Sequence, residues 1–489
     1  MTPRPARVSP PPTLPSSLAD DLRRIVGREG VITEPGRLLS YESDGLSAYR
    51  HRPGAVVLPR DTGEASRVIA RLHRAGVPVV PRGAGTGLSG GALALHGAVV
   101  VGSARMDRIL ELDPRARVAR VQAGVINARL SEAARPHGLH YAPDPSSQSA
   151  CTLAGNVAEN SGGPHCLKYG VTSRYVTGLT LVLPDGEVAE LGGAFAEPAP
   201  YDLVGVVVGS EGCFGFVTEI EVRLVPLPED VRTLLAVFDE IEDAGRAVTR
   251  ILREGLVPAA LEIIDAETIR AVEASVFAAG YPVDAGAALV AEFDGTGSGL
   301  DDEAGAAERA CRAEGAREVR RARTEEERAA LWKGRKKAFG AMGRIAPDLL
   351  VQDATVPRSR LPAVLARVRE IGARYGLTVA NVFHAGDGNL HPNILFDRRD
   401  GETLARVEKA SREIMQACVD AGGTITGEHG VGVDKRGYMR LVHGEDELAA
   451  MAAVRWAFDP DGRFNPGKVL PDGIEPPGGL AAVDGGGEA

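Results

Sequence analysis

RGAGTGLSGGA, from Arg82 to Ala92, is the stretch whose reading decides the fold. Gly85-Thr86-Gly87-Leu88-Ser89-Gly90 is a literal GxGxxG, the spacing that opens a helix in a nucleotide-binding βαβ unit. Here the loop runs on through Ala92-Leu93-Ala94-Leu95-His96-Gly97 into the apolar run Ala98 to Val101, with no room for three helical turns. The spacing therefore predicts strand, loop, strand, and excludes a nicotinamide-type Rossmann site. In that arrangement glycine N–H groups can form a nest around a pyrophosphate; the alternative is a glycine-rich surface turn.

Upstream, Asp61 with Glu64 three residues on is a capping-box-like helix start. Ala65, Val68, Ile69 and Leu72 then share one helical face. Gly76 stops this helix and VPVVP reads as the strand before the glycine loop. A shorter helix is expected over Asp20 to Gly30. Downstream, PDPSSQSACTLAGNVAENSGGPHCLKYGV, Pro143 to Val171, is small, polar and glycine-rich. It cannot build its own core and makes sense laid against a large ligand. GSEGCFGFVTEIEVRLVP, Gly209 to Pro226, reads as a turn feeding an alternating strand.

The chain has 489 residues, enough for two or three domains. A net charge of −10 argues against nucleic acid as a partner. Five cysteines without a CxxC fit a reducing compartment and exclude iron–sulfur ligation or a zinc knuckle. No apolar run approaches the ~18 residues that span a bilayer. The Pro- and Arg-rich N-terminus has no apolar signal region and, like the glycine-rich C-terminus, reads as a disordered tail.

Composition shifts near Pro226 to Asp230, the expected domain boundary. LLAVFDE, AGRAVTRILREG, AALEIID and ALVAEFDG then alternate strand and helix, suiting a ferredoxin-like α+β domain. Gly295 to Asp302 reads as a polar loop, Glu303 to Ala341 as charged helix, and Ser359 to Arg374 as an amphipathic helix with Pro362 in its first turn and Gly376 as its stop. The basic run Lys333 to Lys337 is a solvated helix face or a substrate-anion contact.

VANVFHAGDGNLHPNILF, Val379 to Phe396, reads as a hairpin turning at Asp387-Gly388. A two-residue turn there sets His384 opposite His391, with Asn393 on the same face. GGTITGEHGVG, Gly422 to Gly432, offers adjacent Glu428 and His429 to complete a site. A His-His-Glu set leaves open positions on a divalent ion for substrate oxygens. The alternative for each histidine is an ordinary hydrogen-bonded residue.

Together the three glycine-rich blocks resemble the FAD-binding domain of the vanillyl-alcohol-oxidase-type, or PCMH, flavoproteins. They are most similar to the FAD-linked subunits of bacterial glycolate oxidases and the related D-lactate and D-2-hydroxyglutarate dehydrogenases. The resemblance implies an α+β fold. A PCMH-type FAD-binding domain of two α/β subdomains spans 18–228. A ferredoxin-like cap, or substrate domain, with the metal site spans 229–455. A C-terminal segment, 456–470, returns to the flavin, and the tails are 1–17 and 471–489. It further implies that Arg82, Gly83, Ala84, Gly85, Thr86, Gly87, Leu88, Ser89 and Gly90 hold the FAD pyrophosphate. Pro143, Asp144, Ser147, Gly155, Asn156, Ala158 and Ser161 would line the flavin and ribityl chain, Val217 the adenine half, and Asn465 the return to the flavin. The first glycine loop has no histidine, so non-covalent FAD is expected. Cys213 and Phe214 depart from the family's commoner Thr and Leu, which bears on local packing.

In the 2-hydroxyacid dehydrogenases the matching positions make His384, His391 and Glu428 ligands of a divalent metal, Zn or Mn. His429 becomes the general base, Asn393 a substrate contact and Arg335 the carboxylate-binding arginine; the alternative for Arg335 is a helix-surface residue. Phe339 and Val351 stand where further polar substrate contacts are usual, which favours glycolate or D-lactate over a dicarboxylate such as D-2-hydroxyglutarate. The implied reaction oxidises a small 2-hydroxy acid to the 2-keto acid by hydride transfer to flavin N5, with flavin and metal meeting across a domain interface. Implied partners are a second flavin-like subunit and an iron–sulfur subunit, with a cytoplasmic location peripheral to the inner membrane. A metallohydrolase on a flavin-free scaffold would be colourless, and a non-catalytic electron-transfer flavoprotein would not be bleached by substrate.

Overall fold

A computed structural model describes residues 14–46, 48–193 and 201–474. Most of both expected tails, residues 1–13 and 475–489, lies outside the described residues. The chain divides into two compact units. One is drawn from Met1–Ser161, Val171–Leu227 and His429–Ala489, the other from Gly162–Gly170 and Pro228–Glu428. The division after Leu227 lies where composition shifts. The later division comes at Glu428, well before residue 455, and the short segment Gly162–Gly170 groups with the second unit.

The first unit opens with a helix at Ser16–Val26, earlier than Asp20. Its first sheet has four strands in the order Val31–Ile32, Ala55–Val57, Val99–Gly102, Val79–Arg82. The last three run parallel. Helix Thr62–Arg74 makes the crossover between Ala55–Val57 and Val79–Arg82. Its start is set by Asp61, whose side chain accepts the Glu64 N–H, while Glu64 reaches back to the Arg60 N–H at 2.8 Å. Ala65, Val68, Ile69 and Leu72 are buried in the core beside it, each large side chain contributing about 1.5–3 kcal/mol. No α-helix lies between strands Val79–Arg82 and Val99–Gly102, only the short 3-10 turn Leu95–Gly97, as the spacing requires. The second sheet is antiparallel, ordered Ile109–Asp113, Val118–Gln122, Phe216–Arg223, Val176–Val182, Val188–Gly192. Phe216–Arg223 alternates buried and half-buried positions down its length.

The second unit carries a βαββαβ order, Asp230–Phe238, Ile241–Arg253, Ala260–Asp265, Ala287–Gly295, Leu300–Ala313, Glu318–Arg321, with an added helix Ala266–Glu273 between its second and third strands. In sequence order these strands lie fourth, first, third, second across an antiparallel sheet, the ferredoxin-like arrangement. The stretch Glu303 to Ala341 is not one helical region. Gly315, at φ +93°, ends helix Leu300–Ala313, and the charged Glu318–Arg321 pairs at the sheet edge. Charge on an edge strand is a common protection against further pairing. Helices Glu325–Lys336 and Ala338–Met342 follow. Helix Leu361–Tyr375 has Pro362 in its first turn and stops at Gly376, φ +60°.

The hairpin pairs Thr378–His384 with Asn389–Leu390 and Pro392–Phe396, but in a different register from the one its turn residues suggest. His384 faces Asn389, not His391, and Ala380 faces Asn393. The loop is Ala385 to Gly388. Only Gly388 has positive φ, +81°, so the two-residue turn does not form. Neighbouring strands claim this backbone: the Gly386 N–H donates to Leu261 at 3.1 Å and the Val356 N–H to Gly388 at 3.0 Å. The slip is two residues, one full side-chain period, so His384 and His391 still share a face.

Candidate active site

Strand Ala260–Asp265 is buried at every position, and within it Glu262 has 0% exposure. Its neighbour across one pairing is His384 and across the other Val290. Alternation places Glu262, His384, Asn389 and Glu292 on one face of the sheet. Helix Glu325–Lys336 lies over that face. Trp332 Nε1 donates to Glu292 at 2.6 Å, and Arg335 Nε donates to Glu262 at 2.6 Å. Arg335 is 1% exposed, so it is not a helix-surface residue, whereas Lys333 and Lys337 beside it are exposed. Its Nε and Nη2 face Glu262, with Nη2 also 3.4 Å from His384 Nδ1; Nη1 has no partner among the described residues.

His384 and His391 present their rings edge to face, centroids 5.2 Å apart. Each is fixed through Nδ1: His384 by Glu262 at 2.8 Å, His391 by the Gln352 carbonyl at 3.3 Å. Both Nε2 atoms then point at one oxygen, Glu428 Oε1, at 3.1 and 3.2 Å. Glu428 is held by its own N–H, which donates to Asp353 at 3.2 Å; Asp353 also accepts the Thr426 hydroxyl at 2.6 Å. The ligand atoms of His384, His391 and Glu428 lie within 4.8 Å of one another, a donor set that suits a divalent cation. Burial disfavours charge on His384, but Glu262 and Glu428 outweigh it and hold the imidazole well above the ordinary histidine range. Burial likewise opposes the Glu428 carboxylate, and His384 and His391 outweigh it, holding it well below the usual range. A cation entering here displaces imidazole protons. Asp387, in the hairpin loop, is pushed up to about 6 by burial, with His384 opposing.

Asn393 is fully buried on the same face, Nδ2 donating to the carbonyls of His391 at 2.7 Å and Ala380 at 3.1 Å. Its Oδ1 is buried without a partner among the described residues, as are Asn389 Oδ1 and Gln352 Oε1. Phe339 stands 6.4 Å from the His391 ring, and Val351 is paired with Asn393.

In the first unit the glycine loop begins at Arg82, whose buried guanidinium donates to the Ser43 carbonyl at 2.9 Å and lies over Tyr41. Arg82 thus ties the loop down rather than reaching outward. Gly83 packs so closely on Thr152 that a Cβ would strike its hydroxyl, and such a Cβ would also stand 3.5 Å from Gly155 Cα. This brings Gly83 and Gly155 together. Asn127 bridges the Pro143 carbonyl at 3.0 Å and Asn156 Oδ1 at 3.1 Å. Ser147 and Ser161 serve through their carbonyls, accepting from Cys151 N–H and the Thr172 hydroxyl at 2.8 Å each. Ala158 accepts the Glu211 N–H at 2.7 Å. Asn465 donates to the carbonyls of Gly91 at 3.2 Å and Glu211 at 2.7 Å. Asp144 is half-buried, and Val217 pairs with Leu181 inside the second sheet. Thr86 and Leu88 are half-buried along the loop and Ala84 is exposed. Two observations fit a large polar ligand here: Ser89 Oγ and Asn127 Oδ1 are buried without partners among the described residues, and a Cβ at Gly87 would meet nothing within 4 Å.

His429 follows Glu428 directly and is the first residue of the first unit's last segment. The chain after it is bound to the glycine loop: Val433 and Asp434 N–H groups donate to the Ser89 carbonyl at 2.9 and 3.1 Å. Glu211, also at positive φ, +52°, accepts from the Val431 and Gly432 N–H groups at 2.7 Å each. Cys213 is buried against Arg455, its thiol pushed up to about 11 by burial, and Phe214 stacks on Phe458 at 4.6 Å. All five cysteines are free thiols. No helix of the described residues is long and apolar enough to cross a membrane.

Sequence reasoning passed over Glu262, Glu292, Glu211 and Lys468. Lys468 Nζ is buried and donates to Leu93 and Gly91 carbonyls and to Asn465 Oδ1, at 2.8, 3.2 and 2.8 Å. For the first two a signal existed: a lone carboxylate inside a continuous apolar run, LEIID or ALVAEFD, cannot be buried without cationic partners.

Residues 53–192 match the family model described as FAD binding domain, and 227–469 the model described as FAD linked oxidases, C-terminal domain. The chain is 48% identical to the glycolate oxidase subunit GlcD of Escherichia coli K12 over 89% of its length and 87% of the relative's. It is 32% identical to a D-lactate dehydrogenase of Anaerostipes hadrus, covering 88% of this chain and 92% of that one. A crystal structure of p-cresol methylhydroxylase shares the fold at TM-score 0.78, with 16% identity, covering 93% of this chain and 96% of that one. With family models matched in both halves and a relative 48% identical over 89% of this chain, the protein belongs to the FAD-linked oxidase family.

Proposed function

We propose that this protein oxidises a small 2-hydroxy acid, glycolate or D-lactate, to the 2-keto acid. The observation that carries the reading is the convergence of His384, His391 and Glu428 beside the buried Arg335. The names of the relatives, glycolate oxidase subunit and D-lactate dehydrogenase, point to the same substrates. Bound FAD would supply a hydride acceptor, and a Zn or Mn ion on His384, His391 and Glu428 a Lewis acid that lowers the pKa of the substrate hydroxyl. Arg335 offers Nη1 to the substrate carboxylate, with Glu262 holding the other side of the guanidinium. Asn393 Oδ1, without a protein partner, accepts from the substrate side. His429 takes the 2-hydroxyl proton as general base and passes it to solvent, while the C2 hydrogen leaves with its electron pair. Gly83 to Gly90, with Gly155, Asn156 and Asn465, hold the dinucleotide, and Arg82 braces the loop from behind. Phe339 and Val351 leave no second cation or polar side chain at their positions for a distal carboxylate, which favours the smaller acids over D-2-hydroxyglutarate.

A relative named as a subunit supports a chain that works within a complex; the partners we propose are one flavin-like and one iron–sulfur subunit at the inner membrane. The test is anaerobic mixing of the purified protein with a panel of 2-hydroxy acids, with and without chelator, following flavin absorbance. Glycolate or D-lactate bleaches the wild type, chelator slows bleaching, and His429→Ala lowers the rate by ~10²–10⁴-fold. A wild-type flavin untouched by every acid refutes the reaction; a His429→Ala protein reduced at the wild-type rate refutes the assigned base.

A further inference from the structure

We propose that Glu262 is the positioning residue of this site, one carboxylate that orients both the ligand His384 and the carboxylate-binding Arg335. The inference rests on the reading of His384, His391 and Glu428 as metal ligands. Glu262 is wholly buried in the middle of strand Ala260–Asp265, and its two oxygens are divided. Oε1 stands 2.8 Å from His384 Nδ1, and Oε2 accepts Arg335 Nε at 2.6 Å and pairs with Arg335 Nη2 at 2.5 Å. The first contact selects the tautomer. With Nδ1–H donated to Glu262, Nε2 is the open nitrogen, and it is Nε2 that faces Glu428. A carboxylate behind a ligating imidazole also raises its basicity. The second contact takes the Nε edge of the guanidinium, so Nη1 is the donor left for a ligand.

The other partners of this geometry are fixed too. Cross-strand pairing holds Glu262 opposite His384, so neither can slide. Arg335 is anchored by its own helix, where Trp332 binds Glu292 on the same sheet face. Glu262 touches neither substrate nor cation. It acts through His384 and Arg335, and the two functions it serves, ligation and carboxylate recognition, are lost together when it is changed.

The test uses the full-length, FAD-loaded protein, with flavin absorbance counting the folded molecules. Wild type and Glu262→Gln are stripped with chelator and titrated with Zn²⁺ and Mn²⁺ by calorimetry and competition with a chromophoric chelator. The expected result is a ~10–100-fold loss of metal affinity per folded molecule in Glu262→Gln. With metal at saturation, kcat recovers while KM for the 2-hydroxy acid stays raised, because Arg335 remains misaligned. A role confined to stability lowers the yield of folded protein and leaves both constants unchanged. If Glu262→Gln does not fold, Glu262→Asp keeps the charge but withdraws it by one methylene, and the same loss of affinity is expected from it. Metal affinity and KM both within twofold of wild type overturn the inference alone; a wild type that takes up no metal overturns the metal reading and this inference with it.

Discussion

Glu292 is the most heavily committed carboxylate of the second unit, and Glu292→Gln measures what it contributes. Its Oε2 accepts from Thr233 Oγ1 at 2.7 Å, Trp332 Nε1 at 2.6 Å and Arg328 Nε at 3.0 Å; its Oε1 accepts from Arg328 Nη2 at 3.1 Å and faces His165 Nε2 at 3.3 Å. A glutamine keeps the shape and one accepting oxygen. Placed best, that oxygen serves Thr233, Trp332 and Arg328 Nε, and the amide NH₂ is left against two donors. Hydrogen bonds to charged groups contribute about 1.5–3 kcal/mol each. The Arg328 side chain is 29% exposed and that of His165 20%, so water recovers part of the loss. We expect a destabilisation of about 3 kcal/mol at pH 7, read by urea unfolding of matched FAD-loaded proteins. The pH dependence has a defined sign. Burial opposes ionisation of Glu292, but His165 and Arg328 outweigh it and hold the carboxyl well below the usual range. Its contribution is complete above the unfolded pKa of about 4.3 and is lost as pH falls from there towards the folded value. The carboxylate's own part of the gap between wild type and Glu292→Gln is therefore complete down to about pH 5 and is lost below it. A gap below about 1 kcal/mol at pH 7, or one that does not narrow below about pH 4, refutes the reasoning.

Two further substitutions probe how the first unit holds its glycine loop. Gly432 sits at φ +50°, and a Cβ there would strike the Ser89 carbonyl, so Gly432→Ala is expected to cost at least ~2 kcal/mol and to lower the FAD content of the purified protein, measured by absorbance against total protein. Retention of full FAD content and unchanged melting would show that the contact at Ser89 does not matter. Lys468→Met removes three buried hydrogen bonds from Gly91, Leu93 and Asn465 and is expected to cost ~3–5 kcal/mol with weaker FAD retention; a Tm within a degree of wild type contradicts this.

Legibility in the sequence followed the range of the forces involved. Helix Thr62–Arg74 was readable because its cap and its apolar face are local, and the strand–loop–strand around Gly85 because chain length alone forbids a helix. The opening strand–helix–strand–strand of the second unit was readable from period and spacing, but strand Glu318–Arg321 was not, because EVRR becomes a strand only by pairing with Asp230–Phe238. The hairpin turn failed for a related reason. Asp387-Gly388 favours a two-residue turn in isolation, and the hydrogen bonds from Gly386 to Leu261 and from Val356 to Gly388 override that preference. The histidines, Glu428, Asn393 and Arg335 were found from motif and resemblance. The carboxylates that hold them were not, since Glu262 and Glu292 lie 92 residues or more from His384 and Glu428 in the chain.

That distance shows what the second unit is built to do. Along the sheet, Val237, Ala288, Ile264 and Val382 form an apolar core with Leu331, Ala338 and Met342. Two residues further along the strands, on the same face, stand Glu262 and His384, and beyond them Glu292 and Thr233. One face thus turns from oil to charge within a single strand length. Burying two carboxylates there is tolerable only if cations and N–H donors arrive in register, and helix Glu325–Lys336 delivers them: Arg328, Trp332 and Arg335 are spaced by four and three, one stripe of a helix. The buried stripe of the helix is therefore polar because its partner surface is anionic, while Glu325, Glu326, Glu327 and Lys333 are exposed to solvent. Strand pairing and a helix stripe also position more rigidly than loops do, so His384 and Arg335 are aligned before any ligand arrives, and binding energy need not be diverted to arranging them.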